Sequence, residues 1–172
     1  MISHIAILME NQPGALSRVV GLFSQRGYNI DSLSVAPTQE STLSRLTMTT
    51  SEEPEVINQI LRQLFKLIDV VMVQNLTSAE SFSIELAIIK LALDTEEVKK
   101  IIDGENKLSC NIVNETEGFT MFEVKGESVA IDNFLSSLKD QEFLEVTRSG
   151  QLGMTTGMAS LRTNDQTKIS YD

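Results

Sequence analysis

Residue types that build reactive sites are scarce in this sequence of 172 residues. It contains one cysteine, Cys110, and one histidine, His4, so it cannot form an internal disulfide and offers no cluster of the usual zinc ligands. Its carboxylates are scattered rather than paired at ligand spacing, and nothing around His4 supports a Ser-His-Asp set. We therefore expect no metal site and no catalytic residues in this chain.

Positive charge and long apolar runs are lacking too. The 14 basic residues face 24 acidic ones, a net charge of −10, so the field of the protein should repel phosphate backbones and anionic membranes. No stretch reaches the ~20 apolar residues of a membrane-spanning helix, and the N-terminus lacks the pattern of a secretion signal. We expect no nucleic-acid partner, no membrane association and a cytoplasmic location.

Glycine is present but never in a phosphate-binding arrangement. The nine glycines fall singly, without Walker-type or dinucleotide-type spacing. The remaining composition, 41% apolar and 22% charged, is ordinary for a globular protein, and the length allows two domains of about 80 residues. Cys110 alternates with Ile112 along a predicted strand, which favours a small core or surface residue over a nucleophile.

The first half of the chain predicts six elements in the order strand, helix, strand, strand, helix, strand. Apolar runs and two-residue alternation mark the strands, whereas apolar residues at helical spacing, such as Leu16, Val19 and Phe23, mark the helices. Gly27 suits the end of the first helix. The strands are predicted at residues 2–9, 28–36, 43–50 and 68–76. This order is that of a ferredoxin-like split βαβ domain.

The same order of elements recurs after a short polar linker. Strands are predicted at residues 82–93, 108–114, 119–125 and 143–147, and helices at 95–103 and 128–139. We therefore predict an α+β protein with two ferredoxin-like βαββαβ domains in tandem. The predicted limits are residues 1–77 for the first domain, 82–160 for the second, and 161–172 for a polar, mobile tail.

The turn between the first strand and the first helix is the candidate binding site. Gly14 allows a ligand to approach the first helical turn, where backbone N–H groups without helical partners can receive a carboxylate. Asn11 both donates and accepts hydrogen bonds, which suits the ammonium and carboxylate groups of an amino acid. The plainer alternative is that Pro13 and Gly14 only start a helix after a tight turn.

Four segments in the first half resemble the regulatory small subunit of acetohydroxyacid synthase, also called acetolactate synthase. They are residues 11–18 (NQPGALSR), 21–30 (GLFSQRGYNI), 34–37 (SVAP) and 42–45 (TLSR). The resemblance is dense over residues 1–76 and looser in the second half, which agrees in length, element order and the closing Arg148-Ser149-Gly150. It identifies the first domain as an ACT domain, a small-molecule-sensing module.

The resemblance implies a homodimer formed through the ACT domain, with valine bound between two ACT domains. The effector would be held by Asn11, Gly14, Ala15 and Leu16 of one protomer and by Asn29 and Ile30 of the other. It also implies a non-catalytic chain that stimulates the catalytic large subunit and confers feedback inhibition by valine in branched-chain amino-acid biosynthesis. Thiamine diphosphate, FAD and magnesium would belong to that large subunit, and no cofactor to this chain.

A second function remains open, that of a stand-alone amino-acid-sensing ACT protein acting on another partner. A chain that is itself an enzyme would need a cluster of titratable groups that the sequence does not provide. Arg18 and Arg26 lie off the apolar face of the first helix, so each is either solvated or docks an acidic partner surface. Residues 151–172 lack the short basic ending of many bacterial members, which leaves the contacts of the tail open.

Overall fold

The computed structural model describes residues 2–77, 79–158, 161 and 169–170. Its contacts divide the chain into two compact units. The first unit consists of Met1–Phe82 together with Gln151–Asp172, and the second unit consists of Ser83–Gly150. Among the described residues, no helix is long and apolar enough to cross a membrane.

The first unit contains the six elements that the sequence predicts. They are β1 (Ser3–Glu10), α1 (Ala15–Arg26), β2 (Ser32–Pro37), β3 (Leu43–Thr50), α2 (Pro54–Leu64) and β4 (Val70–Asn75). β1 lies between β3 and β4 and is antiparallel to both, and β2 pairs with the other edge of β3.

The core of the first unit lies between one face of this sheet and the two helices. Alternation along β1 directs Ile5, Ile7 and Met9 towards the helices. Ala15, Val19 and Phe23 recur every four residues in α1 and form one buried stripe. α2 contributes Ile57, Ile60, Leu61 and Leu64. The start of α1 is therefore fixed above the end of β1.

The second unit repeats the arrangement. Its elements are β5 (Ser81–Leu91), α3 (Thr95–Asp103), β6 (Ser109–Thr116), β7 (Phe119–Gly126), α4 (Ser128–Ser137) and β8 (Phe143–Arg148). The strand order is β6-β7-β5-β8, and its own core is built around Ile89, Phe122, Ile131 and Phe134. The predicted α+β class with two ferredoxin-like domains is confirmed.

Most elements of the first unit begin later than the sequence predicts, and for α1 and β2 a glycine explains the shift. α1 starts at Ala15 rather than at Pro13, because Gly14 has φ +88°, which lies outside helical geometry. β2 starts at Ser32 rather than at residue 28, since the chain first closes α1 with Gly27 at φ +70°. Pro37 is the last residue of β2, where its missing N–H is harmless on an outer strand.

The described residues after Gly150 pack on the first unit, whereas the sequence analysis placed residues 151–160 in the second domain. A strand that the sequence did not predict, β9 (Leu152–Thr155), pairs with β5 and also contacts β1 on the sheet face opposite the helices. Thr156 N donates to Glu80 O at 2.9 Å, which anchors the end of this segment. We call residues 151–158 the C-terminal segment.

Most of the predicted mobile tail, residues 161–172, lies outside the described residues. Leu161 packs beside Leu8, Leu43 and Met72. A two-residue strand, β10 (Ile169–Ser170), runs parallel to β4.

Candidate functional site

The turn before α1 carries backbone donors without helical partners. Gly14 adopts φ +88° and ψ −14°, and Ala15 N donates to Gln12 O at 3.2 Å. No side chain caps the helix. The N–H groups of Leu16 and Ser17 in the first turn are therefore available to an anion, which the helix dipole also favours.

Asn11 connects this turn to the loop between β2 and β3. Its backbone N donates to Thr42 O at 2.7 Å, and its side-chain Nδ2 donates to Ser41 O at 2.9 Å. The amide oxygen Oδ1 has no hydrogen-bond partner within the described part of the chain. The backbone N–H and the side-chain Nδ2 of Asn11 both donate to this loop. Oδ1 is therefore the atom of Asn11 that is left to accept a hydrogen bond from a ligand.

Arg18 lies behind the turn, in an ion pair with Asp69. Its Nε and Nη2 donate to the two carboxylate oxygens of Asp69, the Nη2 to Oδ1 distance being 2.7 Å. The Asp69 side chain is only 7% exposed, and the hydrogen bonds from Arg18 hold its pKa below the ordinary value. Glu10 N donates to Asp69 O at 2.8 Å, which places Asp69 at the end of β1.

This ion pair corrects the sequence interpretation of Arg18 as either solvated or docked to an acidic partner. Its carboxylate partner lies within the same chain, 51 positions away. Sequence analysis had no signal for the pair, because Asp69 precedes a strand and carries no local motif. Arg26, in the last turn of α1, is exposed.

Asn29 and Ile30 lie between α1 and β2. Asn29 is exposed. Its backbone N–H donates to Glu52 Oε1 at 3.1 Å. Its side-chain Nδ2 donates to Asp31 Oδ1 at 2.6 Å, and its carbonyl oxygen accepts from Thr50 Oγ1 at 2.6 Å. Ile30 is half-buried against the core of the first unit.

The structure brings together only part of the predicted site within one protomer. Asn11, Gly14, Ala15 and Leu16 follow the end of β1. Asn29 is bonded to Thr50, which pairs with Ser3 at the start of β1. β1 has eight residues, so its two ends are roughly 23 Å apart at about 3.3 Å per residue. Asn29 and Ile30 are therefore too far from the turn to share a small ligand with it inside one chain.

A cavity of about 440 Å³ lies on the other face of the sheet, beneath the C-terminal segment. Leu8, Met154 and Leu161 form its apolar walls, and Arg45 and Gln74 supply polar groups. Arg45 is half-buried and donates from Nη2 to Gly153 O at 2.6 Å, while burial lowers the pKa of its guanidinium. The sequence analysis did not predict this cavity, because residues 151–158 were assigned to the second domain.

The remaining reactive groups of the described residues lie apart from one another. Among the described residues, no three His, Cys, Asp or Glu side chains lie close enough to hold a metal ion. Cys110 packs against the core of the second unit, as its alternation with Ile112 predicts, and burial raises the pKa of its thiol.

Two helices on one face of a four-stranded antiparallel sheet, followed by a second domain of the same order, are the architecture of a protein of the ACT class. Residues 5–72 match the family described as the AHAS small subunit-like ACT domain, and residues 84–157 match the family described as the small subunit of acetolactate synthase. The chain belongs to the acetolactate synthase small subunit family. The predicted family and its ACT domain are confirmed.

Relatives align along almost the whole chain. The acetolactate synthase isozyme 3 small subunit of Salmonella typhimurium is 41% identical over 165 residues, which cover 92% of this chain and 98% of the relative. The Escherichia coli K12 protein of the same description is 40% identical with the same coverage. The crystal structure of the acetolactate synthase small subunit from Thermotoga maritima superposes with a TM-score of 0.80 at 26% identity, covering 90% of this chain and 96% of that one.

Proposed function

We propose that this chain is a non-catalytic regulatory subunit that binds the catalytic large subunit of acetolactate synthase, stimulates it and conveys feedback inhibition by valine. The observation that carries the proposal is the open first turn of α1 after Gly14, in a chain that belongs to the small-subunit family. The relatives in Salmonella and Escherichia coli are small subunits of isozyme 3 by description.

The chemistry of the turn suits a small aliphatic amino acid. The α-carboxylate of valine would accept from the N–H groups of Leu16 and Ser17, and its ammonium would donate to Asn11 Oδ1. The isopropyl group would pack against Leu16 of this chain and Ile30 of the partner subunit. The two polar ends and the apolar side of the ligand are then all matched.

A dimer formed through β2 would bring the two parts of this shared site together. β2 is the outermost strand on its side of the sheet and, among the described residues, pairs only with β3. If two β2 strands pair antiparallel, Ser32 of one protomer comes opposite Pro37 of the other. Residues 29 and 30 precede Ser32, so this pairing carries them to the end of the partner's sheet where the Asn11 turn lies. A dimer of this kind would also cover an exposed strand edge, which is an aggregation hazard when left free.

Catalysis would stay with the large subunit. Thiamine diphosphate, FAD and magnesium would be bound there and supply the carbon–carbon bond chemistry, in the cytoplasm. This chain would act through the equilibrium between two arrangements of the ACT dimer, which valine biases by binding one of them better. A coupling of about 1–3 kcal/mol is typical of such regulation.

Reconstitution tests the proposal directly. The purified chain is added to its cognate catalytic subunit, and acetolactate formation is measured while valine is titrated. We expect the rate to rise on addition of this chain and to fall again with valine. An unchanged rate and no response to valine would contradict the proposal, whereas valine binding without any effect on the enzyme would favour the stand-alone sensor.

A further inference from the structure

The cavity beneath the C-terminal segment contains an arginine that has no acidic partner among the described residues. Arg45 lines the cavity and is half-buried. Its Nη2 donates to Gly153 O, but within the described part of the chain no carboxylate forms an ion pair with it. Burial lowers the pKa of its guanidinium accordingly. A partly desolvated cation of this kind is stabilised when an anion binds beside it.

Gln74 is a second polar group that faces the cavity. Its neighbour Val73 belongs to the core between the sheet and the helices, so alternation along β4 directs Gln74 to the opposite face. There it lines the cavity and is only 9% exposed. Its side-chain amide forms no hydrogen bond with any residue that the structure describes. Because a buried amide without a partner is costly, this amide is available to a ligand inside the cavity.

The two polar side chains stand on either side of an apolar floor. Arg45 lies directly opposite Leu8 of β1, and Gln74 lies on β4 at the other side of β1, two residues out of line. The Cα atoms of Arg45 and Gln74 are therefore about 12 Å apart. Met154 and Leu161 add apolar walls. The volume of about 440 Å³ lies within the range of small-molecule sites.

This set of groups suits one carboxylate with an aliphatic body. A single guanidinium in a mostly apolar cavity balances one negative charge, and charged N–H donors bind carboxylates strongly. A phosphate group carries a charge of about −1.5 to −2 at pH 7, so part of that charge would stay unbalanced there. Leu8, Met154 and Leu161 would contact the carbon chain. Such a ligand would touch both the sheet and the C-terminal segment.

We propose that this cavity is a second ligand site of the chain, which binds a small aliphatic carboxylate through Arg45 and orients it with Gln74. The cavity lies on the sheet face opposite the helices, whereas the effector turn leads into α1 on the helix face. The inference therefore does not rest on the proposed function, and either can fail without the other.

Methionine methyl NMR locates such a ligand, because Met154 lines the cavity and Met121 lies in the second unit. The full-length chain, labelled with carbon-13 at its methionine methyl groups, is titrated with hexanoate. We expect saturable shifts of the Met154 resonance and none of the Met121 resonance. Hexanamide, which has the same carbon chain without the charge, should bind roughly ten- to a hundred-fold more weakly, the range for loss of a charged hydrogen bond.

Two variants test the polar groups separately. Arg45→Gln should weaken hexanoate binding by a similar factor, whereas Arg62→Gln, at an exposed position of α2, should bind it like the wild type. Because Arg45 also anchors Gly153, the second variant is Gln74→Glu, which keeps that anchor and places a carboxylate in the cavity. Hexanoate binding should then be lost through repulsion and through pairing with Arg45. Gln59→Glu, exposed on α2, is the matched control and should bind normally.

Each contrary result overturns the inference. A Met154 resonance that hexanoate does not shift would show that the cavity is not a carboxylate site. Equal affinities for hexanoate and hexanamide would show that Arg45 does not bind the ligand, and undiminished binding by Gln74→Glu would show the same for the cavity as a whole. Gly14→Asp, in the effector turn, should leave the hexanoate shifts unchanged, and their loss in that variant would move the carboxylate to the turn.

Discussion

Arg45 and Gly153 are 108 positions apart in the sequence and are joined by a hydrogen bond of 2.6 Å from Nη2 to the backbone oxygen. Arg45 lies on β3 of the ACT sheet, and Gly153 lies on β9, which the chain reaches only after completing the second unit. The C-terminal segment is therefore part of the first unit.

Close packing of Gly153 is the first feature to test. A Cβ atom there would lie 2.7 Å from Leu76 Cδ1 and 3.6 Å from Thr47 Cγ2. The end of a leucine side chain can rotate, but Leu76 is only 2% exposed and has little space. We expect Gly153→Ala to lower the free energy of unfolding by about 1 kcal/mol, near the lower end of the range for overpacking, in urea titrations followed by circular dichroism.

Gly157 provides the control for that substitution. It lies two residues beyond β9, and a Cβ atom there would meet nothing within 4 Å. Gly157→Ala should leave the unfolding midpoint unchanged. Equal effects of the two substitutions would show that backbone flexibility, and not contact with Leu76, matters in this segment.

Gly14→Asp should abolish the valine response while stimulation of the catalytic subunit persists. The new carboxylate would lie against the Arg18 guanidinium and pair with it. It would stand beside the turn where the carboxylate of valine is proposed to bind, and it would repel that carboxylate. The left-handed φ of +88° adds strain of about 1 kcal/mol for any side chain. The measurement is acetolactate formation by the reconstituted enzyme during a valine titration.

Gly21→Ala is the matched control for Gly14→Asp. It lies in the same helix, and a Cβ atom there has open space around it. Normal inhibition by valine should be retained in Gly21→Ala. A Gly14→Asp protein that is inhibited as strongly as the wild type would place the effector elsewhere.

Mixed dimers test whether two protomers share the site. Asn11→Ala and Asn29→Ala should each weaken valine binding in a homodimer, because every site then lacks one amide. In a mixed dimer of the two variants, one site has both mutations and the other has neither. We expect co-expressed, tandem-tagged mixed dimers to bind one valine with wild-type affinity in calorimetry. No recovery of binding would argue that the two residues do not act across a protomer interface.

The second unit contains a buried ion pair that predicts a dependence of its stability on pH. Glu85 is 3% exposed and accepts from Arg148 Nε at 2.7 Å and Nη2 at 2.9 Å, and from Ser128 Oγ at 2.6 Å. Burial by itself raises the pKa of Glu85, but the hydrogen bonds from Arg148 and Ser128 outweigh it, so the pKa lies below the ordinary 4.5. The carboxylate therefore stabilises the fold above pH 4.5, and this contribution is lost as the pH falls through the lower folded-state pKa.

Glu85→Gln should remove that contribution. We expect a loss of about 1–3 kcal/mol at pH 7, since Arg148 keeps partial solvation and Asp132 as a second partner. In urea titrations at a series of pH values, the gap between variant and wild type should narrow below pH 4.5. Glu117→Gln, at an exposed turn of the same unit, should follow the wild type. A gap that is constant with pH would rule out the ionised pair as its cause.

Sequence analysis succeeded where structure depends on neighbouring residues. The predicted strand at 43–50 and the predicted helix at 95–103 coincide with β3 and α3. In β3, Leu46 and Met48 alternate with polar residues, and α3 has a capping box in which Asp94 and Glu97 bond each other's backbone N–H groups. The positive φ of Gly27 and Gly118, at a helix end and a tight turn, follows from the same local rules.

Features that depend on distant residues were not predictable from one sequence. Asp69 is 51 positions from Arg18, and no sequence pattern around either residue predicts that the two form an ion pair. The C-terminal segment reads as a continuation of the second domain, because its few apolar residues do not indicate which sheet they cover. The distance between Asn29 and Asn11 follows from the register of β1 against β3, a property of the assembled sheet.

The sequence by itself determined the family, the order of elements and the turn at residues 11–16, since periodicity, glycine conformation and a dense local motif all act over a few residues. Only the tertiary structure decided that Arg18 faces Gly14, that Arg45 holds Gly153, and that two of the six predicted site residues lie at the far end of the sheet. Pairing across 50 or 100 positions is selected by the packing of the whole unit, and no short stretch of residues encodes it.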